Sequence, residues 1–442
     1  MSSDELQRRL ASLPPDKRRL LELRLKREGL SPEGGRRKPE GSPEADPGGA
    51  LQLPSELAQP DPSAPPAPME MSLFFFSADG SGGARPGRYQ LLLDSARFAD
   101  RHGFTAVWTP ERHFQDFGGL YPNPSLLASA LASITERIEI RAGSVVLPLH
   151  DPVRLAEEWA VVDNLSGGRA AIACAAGWHP DDFILRPQDY EDRKEVLVRH
   201  LEDLRTLWRG DAIERRNGAG ETIEVRTLPR PVREELPVWT TSSGNTRTWE
   251  QAGELDTHLL SSLGSQPFPD LEEKIRRYRA AREDALGEDG GGGAGGEGKV
   301  TLMLHTYLDE SLAAAQEATR EPLGDYLRSH LQQRDSFLTV EGIDETDLEA
   351  LIPLAFEHYT RAASLIGTAE SVTPLINYLA RLGVNEIACL VDFGLEPERV
   401  MASLERLAAV VRRHHPTAAE ASGARVSDAR ASGARTPQEG IR

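Results

Sequence analysis

Three short blocks carry the side chains most able to do chemistry. The first, Trp108 to Phe114, places a carboxylate, a guanidinium and an imidazole in consecutive positions, Glu111-Arg112-His113, among aromatic residues. Such groups are costly to bury alone, so they form either the polar wall of a ligand pocket or a salt-bridged loop. The second, Gly177-Trp178-His179-Pro180-Asp181-Asp182-Phe183, sets two ring side chains and two carboxylates directly after an apolar run. The third, Thr240-Thr241-Ser242-Ser243-Gly244-Asn245-Thr246, offers hydroxyls, a glycine and unpaired backbone N–H groups where a helix begins. That combination suits a phosphate, although Ser or Asn alone explains an ordinary cap. Gly143-Ser144 lies inside an apolar strand, where a glycine signals either a bulge or the close approach of a flat ligand. His150 and His305 read as a helix-start residue and a strand residue, and no metalloprotease-like or cupin-like spacing is present, so no metal is expected.

The elements that must position these blocks are legible in Ser144 to Arg169. An apolar strand from Ile138 to Leu147 runs into His150-Asp151-Pro152, which starts a helix lined by Leu155, Trp159, Val162 and Leu165 and ended by Gly167-Gly168. The pattern repeats. Strands are expected near 71–76, 105–109, 138–147, 170–176, 237–241, 257–261, 300–307 and 386–391. Helices are expected near 88–102, 123–134, 151–165, 190–208, 246–253, 268–284, 309–332, 345–365, 369–382 and 396–413. Eight strand–helix units in this length predict an α/β protein, a (β/α)8 TIM barrel, which places chemistry at the C-terminal ends of its strands. Residues 211–233 read as an excursion of short strands. The helical insertion 309–368 is either a cover for the barrel mouth or a packing appendage.

The flanks differ from this domain, expected over 69–415. Residues 1–30 read as a helical hairpin of net positive charge, too small for its own core, so that it either packs on the barrel or docks on a partner. Residues 31–68 and 416–442 have the Pro, Gly, Ser and charge content of a linker and a tail. The net charge of −18 argues against a nucleic-acid binder. The two cysteines, Cys174 and Cys389, fall in buried strands and suggest no disulfide framework. No apolar run spans a bilayer and the N-terminus lacks a signal-type core, so a cytoplasmic protein without membrane contact is expected.

Over roughly Met69 to His415 the chain resembles the bacterial luciferase-like monooxygenases. The matching blocks are WTPERHFQDFG (108–118), GSVVLPLHDPVRLAEEWAVVDNLSGGR (143–169), GWHPDDF (177–183), SGNTRTWEQAG (243–253) and GVNEIACLVDFG (383–394). It is most similar to the subgroup of polyketide and nonribosomal peptide assembly lines, and ASLPPDKRRLLELRLKREG is similar to helical linkers beside their modules. The resemblance implies reduced FMN as cofactor, supplied by a separate reductase and held by Gly143, Ser144, Gly177 and Trp178, with its phosphate on Ser243, Gly244 and Thr246. It implies catalytic roles for Arg112 and His113 and a substrate pocket including Phe76, Glu111 and His179. Luciferases carry paired histidines at the second-strand motif, and Arg112 replaces the first, which favours a permanent cationic contact over histidine catalysis. Ala176 likewise replaces an arginine near the flavin phosphate. The expected substrate is a small molecule or carrier-protein-tethered intermediate, the hairpin is expected to meet a synthase module, and a homodimer is possible. The alternatives are a deazaflavin-dependent dehydrogenase or reductase on the same barrel, and a non-catalytic docking protein.

Overall fold

Short buried strands and amphipathic helices alternate around a closed cylinder in the computed structural model, which describes residues 57, 66–76, 86–115, 118–242, 244–264, 266–287, 298–335, 352, 356–357 and 359–415. The expected hairpin at 1–30 and the tail at 416–442 lie outside the described residues, as does nearly all of the linker.

The strands are β1 (Glu70–Phe74), β2 (Ala106–Thr109), β3 (Glu139–Val146), β4 (Ala170–Ala175), β5 (Ile213–Arg216), β6 (Thr222–Val225), β7 (Val238–Ser242), β8 (His258–Ser262), β9 (Val300–Leu308), β10 (Ser364–Gly367) and β11 (Glu386–Leu390). The barrel runs β1-β2-β3-β4-β7-β8-β9-β11, and β11 closes it by pairing in parallel with both β9 and β1. All eight predicted strands are these eight. Strands β5 and β6 form a separate antiparallel hairpin, the excursion expected at 211–233.

The helices are α1 (Gln90–Arg101), α2 (Pro124–Ala132), α3 (Pro152–Ser166), α4 (Arg193–Arg209), α5 (Thr246–Glu254), α6 (Phe268–Leu286), α7 (Leu312–Asp335), α8 (Thr373–Arg381) and α9 (Pro397–His414). Their starts follow local chemistry. Asn123, Asp151 and Asn245 accept hydrogen bonds from backbone N–H groups in the first turns of α2, α3 and α5. Gly167, at φ 70°, ends α3 in the left-handed conformation that glycine adopts without strain.

Two expectations are corrected. Leu165, expected with Leu155, Trp159 and Val162 to line α3, is 56% exposed. Most of the helix expected over 345–365 lies outside the described residues, and its end is not α-helical: Tyr359–Ala363 form a π-helical turn and Ser364-Leu365-Ile366-Gly367 is strand β10. This fully buried run extends the edge of β9 beyond the point where β8 stops, pairing Ser364 to Gly367 with His305 to Leu308. So short a run, with only Leu365 and Ile366 strongly apolar, fits a buried strand as well as a helical face, and sheet pairing decides it here.

The lower barrel is filled by a polar cluster. Arg141 on β3 is 1% exposed and Glu386 on β11 is fully buried, their atoms 2.7 Å apart. The guanidinium lies 4.7 Å from the Trp108 ring and 4.5 Å from the Trp239 ring. Ser72, Trp108 and Thr301 also donate to Glu386, while Glu139 takes the other side of Arg141. Burial alone lowers an arginine pKa, but Glu386 and Glu139 overrule it and raise that of Arg141.

Candidate active site

Parallel strands finish on one face of a barrel, so β1, β2, β3, β4, β7, β9 and β11 deliver their following residues to one rim. Beside Arg141, the strand β3 shifts register between Gly143 and Val145, a bulge. A Cβ on Gly143 would lie 2.7 Å from Phe74 Cε2 and 3.1 Å from Trp108 Cε3, so the glycine lets these rings pack against the strand. The Gly143–Ser144 peptide is cis. Ser144 Oγ sits 2.9 Å from Thr241 Oγ1 on β7, which lines the wall with hydroxyls.

The β4 loop lies next to this bulge. Gly177 has φ 78°, and a Cβ there would meet Val146 Cγ1 at 2.8 Å and Phe183 Cε2 at 2.9 Å. Left-handed backbone and close packing both demand glycine. Trp178 follows, 44% exposed, and the His179 ring is buried with Nδ1 accepting the Asp181 N–H at 3.3 Å. Asp182 sits close enough to His113, His179 and Arg112 to feel their charge, yet burial dominates and pushes its carboxyl above the usual range.

The β2 loop brings in Glu111, Arg112 and His113. Glu111 is buried: Oε2 accepts the Val146 N–H at 2.7 Å, and Oε1 lies 3.0 Å from His113 Nε2 and 2.8 Å from His150 Nε2. The carboxylate therefore faces three protein donors rather than open pocket. Burial raises its pKa, but His150, His113 and the Val146 N–H together hold it below the usual carboxylate range. His150 is raised in turn, since Glu111 outweighs desolvation. Arg112 places its guanidinium 4.2 Å from the centre of the Phe76 ring, and burial lowers its pKa against the opposing pull of Tyr326 and Asp182.

Helix α7, within the 309–368 insertion, reaches the rim through Tyr326. Its buried ring lies 6.2 Å from Phe76 and 4.4 Å, edge-on, from His305. Burial, reinforced by Tyr359, pushes the phenol upward. His305 also meets Tyr359 and Phe393, and Asp392 accepts the Phe76 N–H at 2.6 Å. The rim thus combines an aromatic wall with a guanidinium, imidazoles and a carboxyl.

At the β7 end, Gly244 has φ 111° and Thr246 is the first residue of α5, while Ser243 lies outside the described residues. A Cβ on Gly244 would lie 3.8 Å from Lys274 Nζ on α6 and 3.8 Å from Gln266 Cδ. The ammonium donates to Gln266 Oε1 at 2.8 Å. Hydroxyl, helix N-terminus, amide and cation therefore share this corner, a donor set that fits a phosphate ester.

Phe76, Glu111, Arg112, His113, Gly143, Ser144, Gly177, Trp178 and His179 belong to contiguous rim segments, and Gly244 and Thr246 to the corner beside Thr241. Asp182 lies in the carboxylate-bearing block after β4, whereas Tyr326, His150 and Lys274 carry no sequence signal that marks them as site residues. His150 sits one residue from a helix start, and Lys274 and Tyr326 lie mid-helix, where nothing in spacing sets them apart. Cys174 and Cys389 are buried, their thiols pushed up to about 12 by burial, and are inert.

The model of a luciferase-like monooxygenase matches residues 69–386. The oxygenase component of the flavin-dependent trigonelline monooxygenase of Acinetobacter baylyi is 24% identical over 327 residues, 72% of this chain and 88% of that protein. The 4-hydroxyprotoasukamycin monooxygenase of Streptomyces nodosus subsp. asukaensis is 24% identical over 283 residues, 63% of this chain and 73% of that one. Among solved structures, the oxygenating constituent of the Pseudomonas putida 3,6-diketocamphane monooxygenase, in complex with FMN, superposes with a TM-score of 0.61 at 20% identity, covering 79% of this chain and 99% of that one.

Proposed function

The chain belongs to the luciferase-like monooxygenase family, and from that premise we propose that it is the oxygenase of a two-component system, a flavin-dependent monooxygenase using reduced FMN delivered by a separate reductase. Its substrate is an intermediate of secondary metabolism, carried by a polyketide or nonribosomal peptide carrier protein. The observation that supports this reading most is the shared rim: a bulged strand with hydroxyls, a phosphate-suited corner at the end of β7, and Arg112, His113 and Asp182 on neighbouring loops.

The residues present fit the cofactor. Gly143, Ser144, Gly177 and Trp178 would hold the ring, and Gly244, Thr246 and Lys274 the phosphate, with Lys274 supplying the charge that Ala176 does not. Bound and reduced, the flavin supplies two electrons to dioxygen, so that one oxygen atom enters the substrate and the other leaves as water. Arg112, a permanent cation, stabilises negative charge at the mouth. His113 receives or returns a proton at Nδ1, the ring nitrogen turned from Glu111. Tyr326, Phe76 and Phe393 exclude water from that space. Residues 1–30 dock on a neighbouring synthase module; deleting 1–68 should spare FMN binding and abolish that association, and an unchanged pull-down refutes the role.

The test is mass spectrometry after incubation with 18O-labelled dioxygen, FMN, a reductase and candidate intermediates, free or carrier-loaded. One labelled oxygen in a carrier-loaded product is expected. Substrate oxidation without label, together with tight deazaflavin binding and none of FMN, would refute the reading in favour of hydride transfer.

A further inference from the structure

A shared rim does not explain why three hydrogen-bond donors converge on one carboxylate beneath it. Glu111 is 8% exposed; one oxygen takes the Val146 N–H at 2.7 Å, and the other faces His113 Nε2 at 3.0 Å and His150 Nε2 at 2.8 Å. An ionised carboxylate accepts at both oxygens and donates at neither, so it satisfies all three. Each imidazole must then carry hydrogen on Nε2, which leaves Nδ1 as the lone-pair nitrogen of neutral His113. The contacts also tie three segments together. Val146 closes β3 directly after the Gly143–Val145 bulge, and His150 lies beyond the intervening turn of 3-10 helix, Leu147–Leu149.

We infer that Glu111 is a positioning residue: it fixes His113 in its Nε2–H tautomer and holds the ring in register with the end of β3, His150 forming the second arm of the clamp. Its consequence for turnover rests on the oxygenase reading above, whereas the tautomer is a property of the protein alone. Glutamine is nearly isosteric but cannot replace it. If the amide oxygen faces Val146, its NH2 confronts both imidazole Nε2–H groups; if reversed, it confronts the Val146 N–H. Partners that orient a metal-ligating histidine typically matter by roughly 10- to 100-fold, and an effect on that scale is expected for a histidine that moves a proton.

Two-bond 1H–15N NMR of the flavin-free protein reads the tautomer, with the His113 signals identified by their loss in His113→Gln. The wild type should show the Nε2–H pattern. Glu111→Gln should shift His113 toward Nδ1–H and lower labelled product per FMN oxidised by roughly tenfold or more, with FMN affinity within about threefold of wild type. His150→Gln, whose amide can still donate to Glu111, should keep the Nε2–H pattern. An Nδ1–H pattern in the wild type overturns the inference whatever the variants do. Unchanged His113 signals in Glu111→Gln, or product loss matched by equal loss of FMN affinity, overturn it as well. A wild type with the Nε2–H pattern that binds FMN but incorporates no oxygen supports the clamp and refutes the oxygenase reading instead.

Discussion

Replacing Glu386 with glutamine perturbs the floor on which the proposed site rests. Glu386 and Arg141 are 0% and 1% exposed, and both carboxylate oxygens receive Arg141 Nη1, at 2.9 and 2.7 Å. Removing one charge of a buried pair typically costs about 3–5 kcal/mol, because the other charge stays buried without compensation. Arg141 keeps Glu139 at 2.8 Å, so the lower end, about 3 kcal/mol, applies. Urea unfolding followed by tryptophan fluorescence measures this directly, since Trp108 and Trp239 flank the guanidinium. The double variant Arg141→Met/Glu386→Leu should recover most of the loss, because an apolar pair of similar volume replaces the ions without stranding either. FMN affinity should fall in Glu386→Gln, since Trp108 also backs Gly143. A single variant within about 0.5 kcal/mol of wild type would show that Glu386 does not compensate Arg141, and the reasoning would fail.

Other consequences follow from individual residues. His258 has its pKa pressed down to about 3 by burial and by Arg282, Lys299 and Arg141. A base depressed in the folded state contributes fully above its ordinary value of 6.5 and loses that contribution as pH falls toward 3, so stability should drop by ~2 kcal/mol between pH 8 and 5. His258→Asn, which keeps an acceptor for the Lys299 N–H, should flatten that slope; parallel profiles for the two proteins would contradict the assignment. Gly177→Ala adds about 1–2 kcal/mol of left-handed strain and drives a methyl into Val146 and Phe183, so FMN should bind roughly tenfold more weakly by fluorescence titration; equal affinity would disprove its place in the site. Lys274→Met should weaken FMN roughly tenfold while leaving riboflavin, which lacks the phosphate, unchanged; equal losses for both would refute the phosphate corner.

The barrel was readable because its strands are short, apolar and punctuated, and because Pro, Asn, Asp and Gly mark helix ends by local chemistry alone. Strand β10 was not, since so short a run, Ser364 to Gly367, takes its state from β9. Within the site, glycines and hydroxyls at strand ends stood out by type and place. The pairing of Glu111 with His150 did not, because His150 comes from beyond another strand and meets the carboxylate only when the barrel closes. Lys274 and Tyr326 are likewise visible only in three dimensions, brought to the rim by helices whose spacing gives no hint of it.

The most direct test of the central claim is a crystal structure of the protein with FMN bound. The ring should lie against Gly143, Ser144 and Gly177, with the phosphate among Gly244, Thr246 and Lys274. FMN seated elsewhere, or a rim without FMN in crystals grown at saturating concentration, would contradict the account.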